Sequence, residues 1–90
     1  MDATTTNVRQ FILDRYLESW ASRNLQPDNV QDNFDLLMEG VIDSLGVMEL
    51  VTAIETHFEV EIDLETLDPD QLTVIGPLTR YVAEFARPME

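Results

Sequence analysis

The stretch that decides the fold of this chain is Asp43-Ser44-Leu45-Gly46-Val47-Met48-Glu49-Leu50-Val51-Thr52-Ala53-Ile54-Glu55-Thr56-His57-Phe58. Its apolar residues recur at intervals of three and four, which is the period of an α-helix with one buried side. Asp43 or Ser44 is suited to cap the helix start, because either side chain accepts hydrogen bonds from free backbone N–H groups. At about 100° per residue, five apolar residues form one core-facing stripe: Val47, Leu50, Val51, Ile54 and Phe58. The stretch therefore predicts a helix from Ser44 to Phe58.

Two apolar residues of the same helix, Leu45 and Met48, lie outside this stripe. They share the other side of the helix with polar residues that include Glu49, Thr52 and Glu55. In one interpretation, the long loop before the helix folds over the two apolar side chains. In the other, they are the apolar anchors of a docking face, whose carboxylates steer and orient a basic partner.

Ser44, at the start of the helix, has two possible roles. It caps the helix, or it presents its hydroxyl where free N–H groups and the helix dipole favour an anion such as a phosphodiester. His57 is too distant to activate it, because thirteen residues of helix span roughly 20 Å. In the second role Ser44 would need another protein for its modification, and His57 is predicted to be a surface or boundary residue.

The rest of the chain predicts three more helices. Thr6 or Asn7 is the expected cap of the first, Pro69 limits the short one, and Pro77 falls in the first turn of the last, where proline is tolerated. The predicted bounds are Thr6 to about Ser22, Asp63 to Leu67, and Thr73 to Phe85. The fold class is therefore all-α, a four-helix bundle of three main helices and one short helix.

A long loop is predicted between the first two main helices, from Arg23 to Asp43, because turn formers replace the helical period there. Five apolar side chains are expected to hold the loop against the core: Leu25, Val30, Phe34, Leu36 and Leu37. Val60 and Ile62 alternate with acidic residues as in a strand. No second run of comparable quality exists for pairing, so a turn anchored by these two residues is expected.

Composition restricts the class of function. The chain has 90 residues, 18 acidic side chains and five basic ones, all of them separate arginines, giving a net charge of −13. Such a chain repels nucleic acid and anionic membranes. It has no cysteine and therefore no disulfide, thiolate nucleophile or zinc knuckle of its own. We expect one soluble, cytoplasmic, monomeric domain over residues 1–90, without membrane insertion and without catalytic or metal-binding residues.

Four features follow one another within residues 34–85. The first is the tripeptide Asp43-Ser44-Leu45, shortly after Gly40, and the second is the long helix that begins there. The third is Val60-Glu61-Ile62, and the fourth is Leu72-Thr73-Val74. In this order they resemble the acyl and peptidyl carrier proteins, which bear a 4′-phosphopantetheine arm. The resemblance implies the four-helix fold of these carriers.

The resemblance also implies roles for individual residues. Ser44 would receive the arm from coenzyme A through a separate magnesium-dependent phosphopantetheinyl transferase, and Asp43 would contribute to the metal site of that complex. Partner enzymes would contact two groups of residues. The first group is Leu45, Met48 and Thr52, and the second, which would meet basic side chains, is Glu49, Glu55 and Glu39. The thiol of the arm would supply the thioester chemistry that a chain without cysteine lacks.

Val41-Ile42 before Asp43, and Gly46 after the motif, are more similar to discrete carriers of specialised polyketide and nonribosomal peptide pathways. A D-alanyl carrier or a fatty acid carrier is the alternative within the family, and an adenylating enzyme or an acyltransferase would load the arm. Outside the family, the alternative is an acidic helical adaptor for a basic partner. Any cavity that shelters the cargo is expected to border four residues: Phe34, Val47, Ile54 and Tyr81.

Overall fold

The computed structural model describes residues 2–88 and all of their side chains except that of Asp70. Within that range the chain forms five α-helices and one two-stranded antiparallel sheet. In chain order the elements are α1 Thr5–Arg15, α2 Leu17–Ser22, α3 Ser44–Phe58, β1 Val60–Glu61, α4 Asp70–Thr73, α5 Ile75–Phe85 and β2 Arg87–Pro88. The predicted helical bundle is confirmed as an architecture, in which α5 packs against α1 and α4. No helix of this part of the chain is long and apolar enough to cross a bilayer.

Helix α3 has the bounds that its sequence predicts. The carboxylate of Asp43 caps it by accepting the N–H of Gly46 at 2.7 Å. At the other end, Glu59 adopts a left-handed conformation, with φ 56°, and donates its N–H to the carbonyl of Glu55. The five residues of the predicted stripe are all buried. Local sequence signals therefore account for this helix from cap to cap.

The first predicted helix is two helices, α1 and α2, separated at Tyr16 (φ −119°, ψ 32°). The carbonyl of Leu13 accepts the indole N–H of Trp20 at 2.9 Å as well as the Tyr16 N–H at 3.4 Å. In a continuous helix, the carbonyl of Leu13 would accept the backbone N–H four residues later. Here it accepts the indole N–H of Trp20 instead. The predicted cap was also wrong, because Thr4 accepts the N–H of Asn7 at 3.1 Å.

The long loop between α2 and α3 lies as predicted, with a short 3₁₀ turn at Pro27–Asn29. Four of its five expected anchors are buried or half-buried, namely Leu25, Val30, Phe34 and Leu36. Leu37 is the exception, at 37% exposure. Asp35 accepts the N–H groups of Leu37 and Met38 in a tight turn, in which Leu36 is buried and Leu37 is exposed.

Asp32 fastens this loop to two helices. Its carbonyl accepts the N–H of Gly76 at 2.8 Å, and its carboxylate pairs with Arg9 at 2.5 Å and with Arg80 at 3.7 Å. A Cβ at position 76 would lie 2.8 Å from the Cβ of Asp32. Glycine is therefore required there for the loop to contact α5.

Val60 and Ile62 are buried, as expected of anchors, but the predicted turn between them was wrong. Val60 pairs with Pro88 and Glu61 with Arg87 in an antiparallel register. The partner strand has only two residues, and its proline has no N–H to donate, so no strand pattern marks it in the sequence.

The predicted short helix from Asp63 to Leu67 was also wrong. Asp63 instead holds a turn, accepting the N–H of Glu65 on its carboxylate and that of Thr66 on its carbonyl. The short helix is α4, which follows Pro69 and ends at Thr73. Val74 is extended and bridges to Asp35, so α5 begins at Ile75 and not at Thr73, and Pro77 lies in its first turn as predicted.

Candidate functional site

Ser44 is the first residue of α3, and its side chain is exposed. Since Asp43 is the cap, the hydroxyl of Ser44 is not needed for that task. It makes none of the side-chain hydrogen bonds found within residues 2–88. The helix start thus presents an unengaged hydroxyl beside the positive end of a fifteen-residue helix.

Gly46 shapes the same helix start. A Cβ at this position would lie 2.9 Å from the Cβ of Ile42, closer than side-chain atoms approach one another. Without a side chain at Gly46, Ile42 packs directly against the first turn and Asp43 is held in capping position. The bulky Val41-Ile42 segment and Gly46 therefore fit each other, and neither covers the exposed Ser44.

The exposed hydroxyl fits the attachment of a phosphodiester. An ester on this oxygen would extend into solvent without displacing a buried side chain, and the helix dipole favours its negative charge. The one histidine of the chain is too far from it to activate it. His57 lies at the other end of α3, where its ring stacks on Phe11 with centroids 4.4 Å apart.

Leu45 and Met48 are 67% and 45% exposed, so the interpretation in which the loop covers them is wrong. Glu49 and Thr52 are exposed on the same helix. Glu55 is half-buried and accepts the N–H of Ile62 at 3.0 Å, so it also positions the segment after β1. We call the exposed side of α3 the α3 face, defined by Leu45, Met48, Glu49, Thr52 and Glu55.

A groove between α1 and α3 was missed by the sequence analysis. It has a volume of about 660 Å³. Three residues of the α3 face and three of their neighbours on α3 form one wall, and two side chains of α1 lie opposite. The lining residues are Phe11, Arg15, Met48, Glu49, Thr52, Ala53, Thr56 and His57. Phe11 and Arg15 are one turn apart on α1, but nothing local indicates that they face α3. We call this feature the α1–α3 groove.

Tyr16 lies next to this groove. Burial raises the pKa of Tyr16, while a hydrogen bond and the positive charge of Arg15 oppose the rise and the charge of Glu49 adds to it. The guanidinium of Arg15 lies 6.0 Å from the centre of the Tyr16 ring. Arg15 and Glu49 therefore act on the same small region of the surface.

Neither the α1–α3 groove nor the cleft beside α5, both within residues 2–88, brings together the four residues expected to border a cargo cavity. Val47, Ile54 and Tyr81 are buried, and Phe34 packs edge-on against Trp20 at 5.3 Å. Only Tyr81 of these four lines the open cleft of about 720 Å³ that residues 61–66 form with α5.

Comparison with known proteins identifies the family. A family model described as a phosphopantetheine attachment site matches residues 15–82. The D-alanyl carrier protein of Bacillus licheniformis is 38% identical over 62 residues, which are 67% of this chain and 80% of that protein. The acyl carrier protein of Wolinella succinogenes is 32% identical over 59 residues, 66% of this chain and 75% of that protein. No solved structure matches the chain significantly.

These matches confirm the family and the cofactor that the motifs predict. In this family the protein carries a covalently bound group and works with a phosphopantetheinyl transferase and with partner enzymes. Its role is that of a carrier and not of a catalyst. With a matching family model over most of its length, this chain belongs to the carrier proteins that have a phosphopantetheine attachment site.

Proposed function

We propose that this protein is a discrete acyl or aminoacyl carrier whose phosphopantetheine arm is attached to the hydroxyl of Ser44. The observation that carries the proposal is that the residue that caps α3 is not the residue with the free hydroxyl. Asp43 caps the helix, so the hydroxyl of Ser44 is exposed and unengaged at the positive end of the helix. Three serines occur in the chain, and the hydroxyl of Ser22 is already donated to the carbonyl of Ser19.

In the attachment step the Ser44 oxygen would form a bond to the phosphorus next to the pantetheine of coenzyme A, the phosphoanhydride bond would break, 3′,5′-ADP would leave, and the hydroxyl proton would pass to a base of the transferase or to water. The new ester is an anion next to the carboxylate of Asp43, so the two negative charges repel each other. Magnesium in the transferase complex would offset this repulsion, and Asp43 would contribute to holding it. When bound, the arm supplies a thiol that holds the cargo as a thioester.

The α3 face is the surface that we assign to the enzymes that act on the arm. Leu45 and Met48 offer apolar contact close to Ser44, while Glu49 and Thr52 surround them with polar groups. Exposed apolar side chains with a charged rim are typical of transient protein interfaces. Glu55 takes part through its remaining carboxylate oxygen, and Glu39, exposed in the loop before Ser44, extends the acidic rim.

The cargo that we infer is an amino acid or a related acyl group of a specialised pathway, polyketide or nonribosomal peptide. The similarity to a D-alanyl carrier protein supports an aminoacyl cargo, since that relative is named for one. An enzyme that adenylates a carboxylate would then load the arm. The cytoplasmic location and the monomeric state stay predictions.

Incubation with coenzyme A, magnesium and a permissive phosphopantetheinyl transferase is expected to add one phosphopantetheine group to the protein. Intact-mass spectrometry measures the addition, and peptide mapping is expected to place it on the peptide that contains Ser44. The modified protein is expected to gain a second mass when a D-alanine-adenylating enzyme, ATP and D-alanine are added. Absence of the first gain contradicts the carrier proposal, whereas absence of the second contradicts only the D-alanyl cargo.

Leu45→Asp is expected to lower kcat/KM of the transferase for this protein at least about tenfold, because a carboxylate then replaces an apolar anchor at the contact. The free energy of unfolding is expected to change by no more than about 0.5 kcal/mol, since the side chain is exposed. Initial rates of arm attachment and urea denaturation measure the two quantities.

The matched control for this variant is Leu17→Asp. Leu17 is 50% exposed on α2, so the control makes the same chemical change outside the α3 face. It is expected to keep the wild-type rate. Equal loss of rate in both variants would show that added negative charge, and not the apolar contact of Leu45, lowers the rate.

A further inference from the structure

The α1–α3 groove is open to solvent, and its apolar lining comes from Phe11, Met48 and Ala53. At one end the ring of Phe11 stacks on His57 and meets the edge of Phe58 at 5.5 Å. From there the groove passes the half-buried Ala53 and reaches Met48, near the N-terminal end of α3. The groove is shallow and open to solvent, with a volume of about 660 Å³.

The two long walls of the groove carry opposite charges. Arg15 stands on the α1 wall and Glu49 on the α3 wall. Within residues 2–88 both ion pairs involve Asp32, so neither Arg15 nor Glu49 has an ionic partner there. A positive wall is unusual on a chain with a net charge of −13. The groove is therefore complementary to a segment that carries both signs of charge, and not to a purely basic one.

The groove also continues the α3 face. Met48, Glu49 and Thr52 belong to both, so a partner that contacts Leu45 and Met48 reaches the groove without leaving the protein surface. This continuity favours a protein partner of the carrier over a free small molecule.

We propose that the α1–α3 groove binds a segment of a partner enzyme in which an apolar side chain lies between a carboxylate and a cationic side chain, with three recognition elements. One apolar side chain of the segment enters between Phe11 and Ala53. A carboxylate of the segment pairs with Arg15, and a cationic side chain pairs with Glu49. The proposal rests on the proposed carrier function and adds a second wall, on α1, to its docking surface.

The experiment uses the unmodified protein, labelled with ¹⁵N, and two helical peptides of about 16 residues, which form about four turns. Both peptides have a central leucine. The mixed peptide has glutamate one turn before the leucine and lysine one turn after it, whereas the basic peptide has lysine at both positions. Amide chemical shifts measured at about 0.15 M salt, where long-range attraction is screened, report the site and the Kd.

The mixed peptide is expected to shift the amides of Phe11, Arg15, Ala53 and Thr56. Arg15→Glu is expected to weaken its binding about threefold to tenfold, since one exposed ion pair is lost and a repulsion replaces it. The same variant is expected to strengthen binding of the basic peptide. Arg87→Glu is the matched control, because it makes the same charge change on β2, outside the groove, and is expected to leave both affinities unchanged.

Ala53→Met tests the groove without a change of charge. The longer methionine side chain at position 53 occupies part of the groove, so the affinity for the mixed peptide is expected to fall at least about tenfold. Methionine is also a good helix former, so the helical circular dichroism is expected to stay unchanged. The proposal is overturned by the absence of saturable shifts, by shifts confined to residues 61–66, or by equal effects of Arg15→Glu and Arg87→Glu.

Failure of this inference is distinguishable from failure of the carrier function. The titration needs no arm, whereas arm attachment is measured separately by mass. If the protein gains the arm but binds neither peptide in the α1–α3 groove, the proposed carrier function stands and only the inference about the groove is contradicted.

Discussion

Replacing Ser44 by alanine is expected to abolish attachment of phosphopantetheine completely while leaving the fold unchanged. The reason for the first effect is that the variant lacks the oxygen on which the proposed ester forms. The reason for the second is that Asp43, and not Ser44, accepts the N–H of Gly46 and caps α3. Alanine also has the highest helix propensity, so the first position of α3 tolerates it.

Intact mass after incubation with coenzyme A and the transferase measures the first effect, and urea denaturation measures the second. The free energy of unfolding is expected to lie within about 0.5 kcal/mol of the wild-type value. Ser22→Ala is the matched control, because it removes an exposed serine hydroxyl at the end of α2, and it is expected to gain the arm like the wild type. A mass gain that persists in Ser44→Ala would place the attachment elsewhere.

Trp20→Ala is expected to lower the free energy of unfolding by about 3 to 5 kcal/mol, the usual cost of removing a fully buried tryptophan. Trp20 is 0% exposed, and its indole N–H donates to the carbonyl of Leu13. Its ring also meets the edges of Tyr16 and Phe34, so it joins α1, α2 and the long loop. A domain of this size has a total stability of about 5 to 13 kcal/mol. The variant is therefore expected to melt at least about 12 °C lower.

Thermal and urea denaturation, followed by circular dichroism, measure this change. Leu17→Ala is the matched control on the same helix, and it is expected to cost at most about 1 kcal/mol, because Leu17 is half exposed. Trp20→Phe keeps most of the ring and loses the hydrogen bond, so it is expected to cost less than the alanine variant. A loss below about 1 kcal/mol in Trp20→Ala would contradict the assigned place of this residue in the core.

The α3 segment was predictable from sequence because everything that defines it is local. Its cap, its buried stripe and its bounds depend on residues within a few positions of one another along the chain. The same holds for the motif that identifies the family. The candidate site was predictable for the same reason, since Ser44, Asp43 and the α3 face all belong to this one helix and its cap. The sequence does not decide the exposure of Leu45 and Met48, because that exposure depends on where the preceding loop packs.

Several of the corrected elements depend on contacts that the local sequence pattern does not show, whereas the cap at Thr4 and the turn at Asp63 are local. The break between α1 and α2 occurs where the indole of Trp20 takes the carbonyl of Leu13, and α5 begins late because Val74 bridges to Asp35. The strand at Val60 exists because Pro88 and its neighbour lie beside it. Propensity and periodicity contain no information about such partners.

The sequence by itself determined the helix that presents Ser44, the charge of the chain and its family, because each is a property of short stretches or of composition. The tertiary structure decided what faces that helix. Phe11 and Arg15 form the second wall of the α1–α3 groove only because α1 packs on α5 and brings them opposite α3. A groove belongs to two elements at once, and its shape and its paired charges arise when packing sets the distance between them.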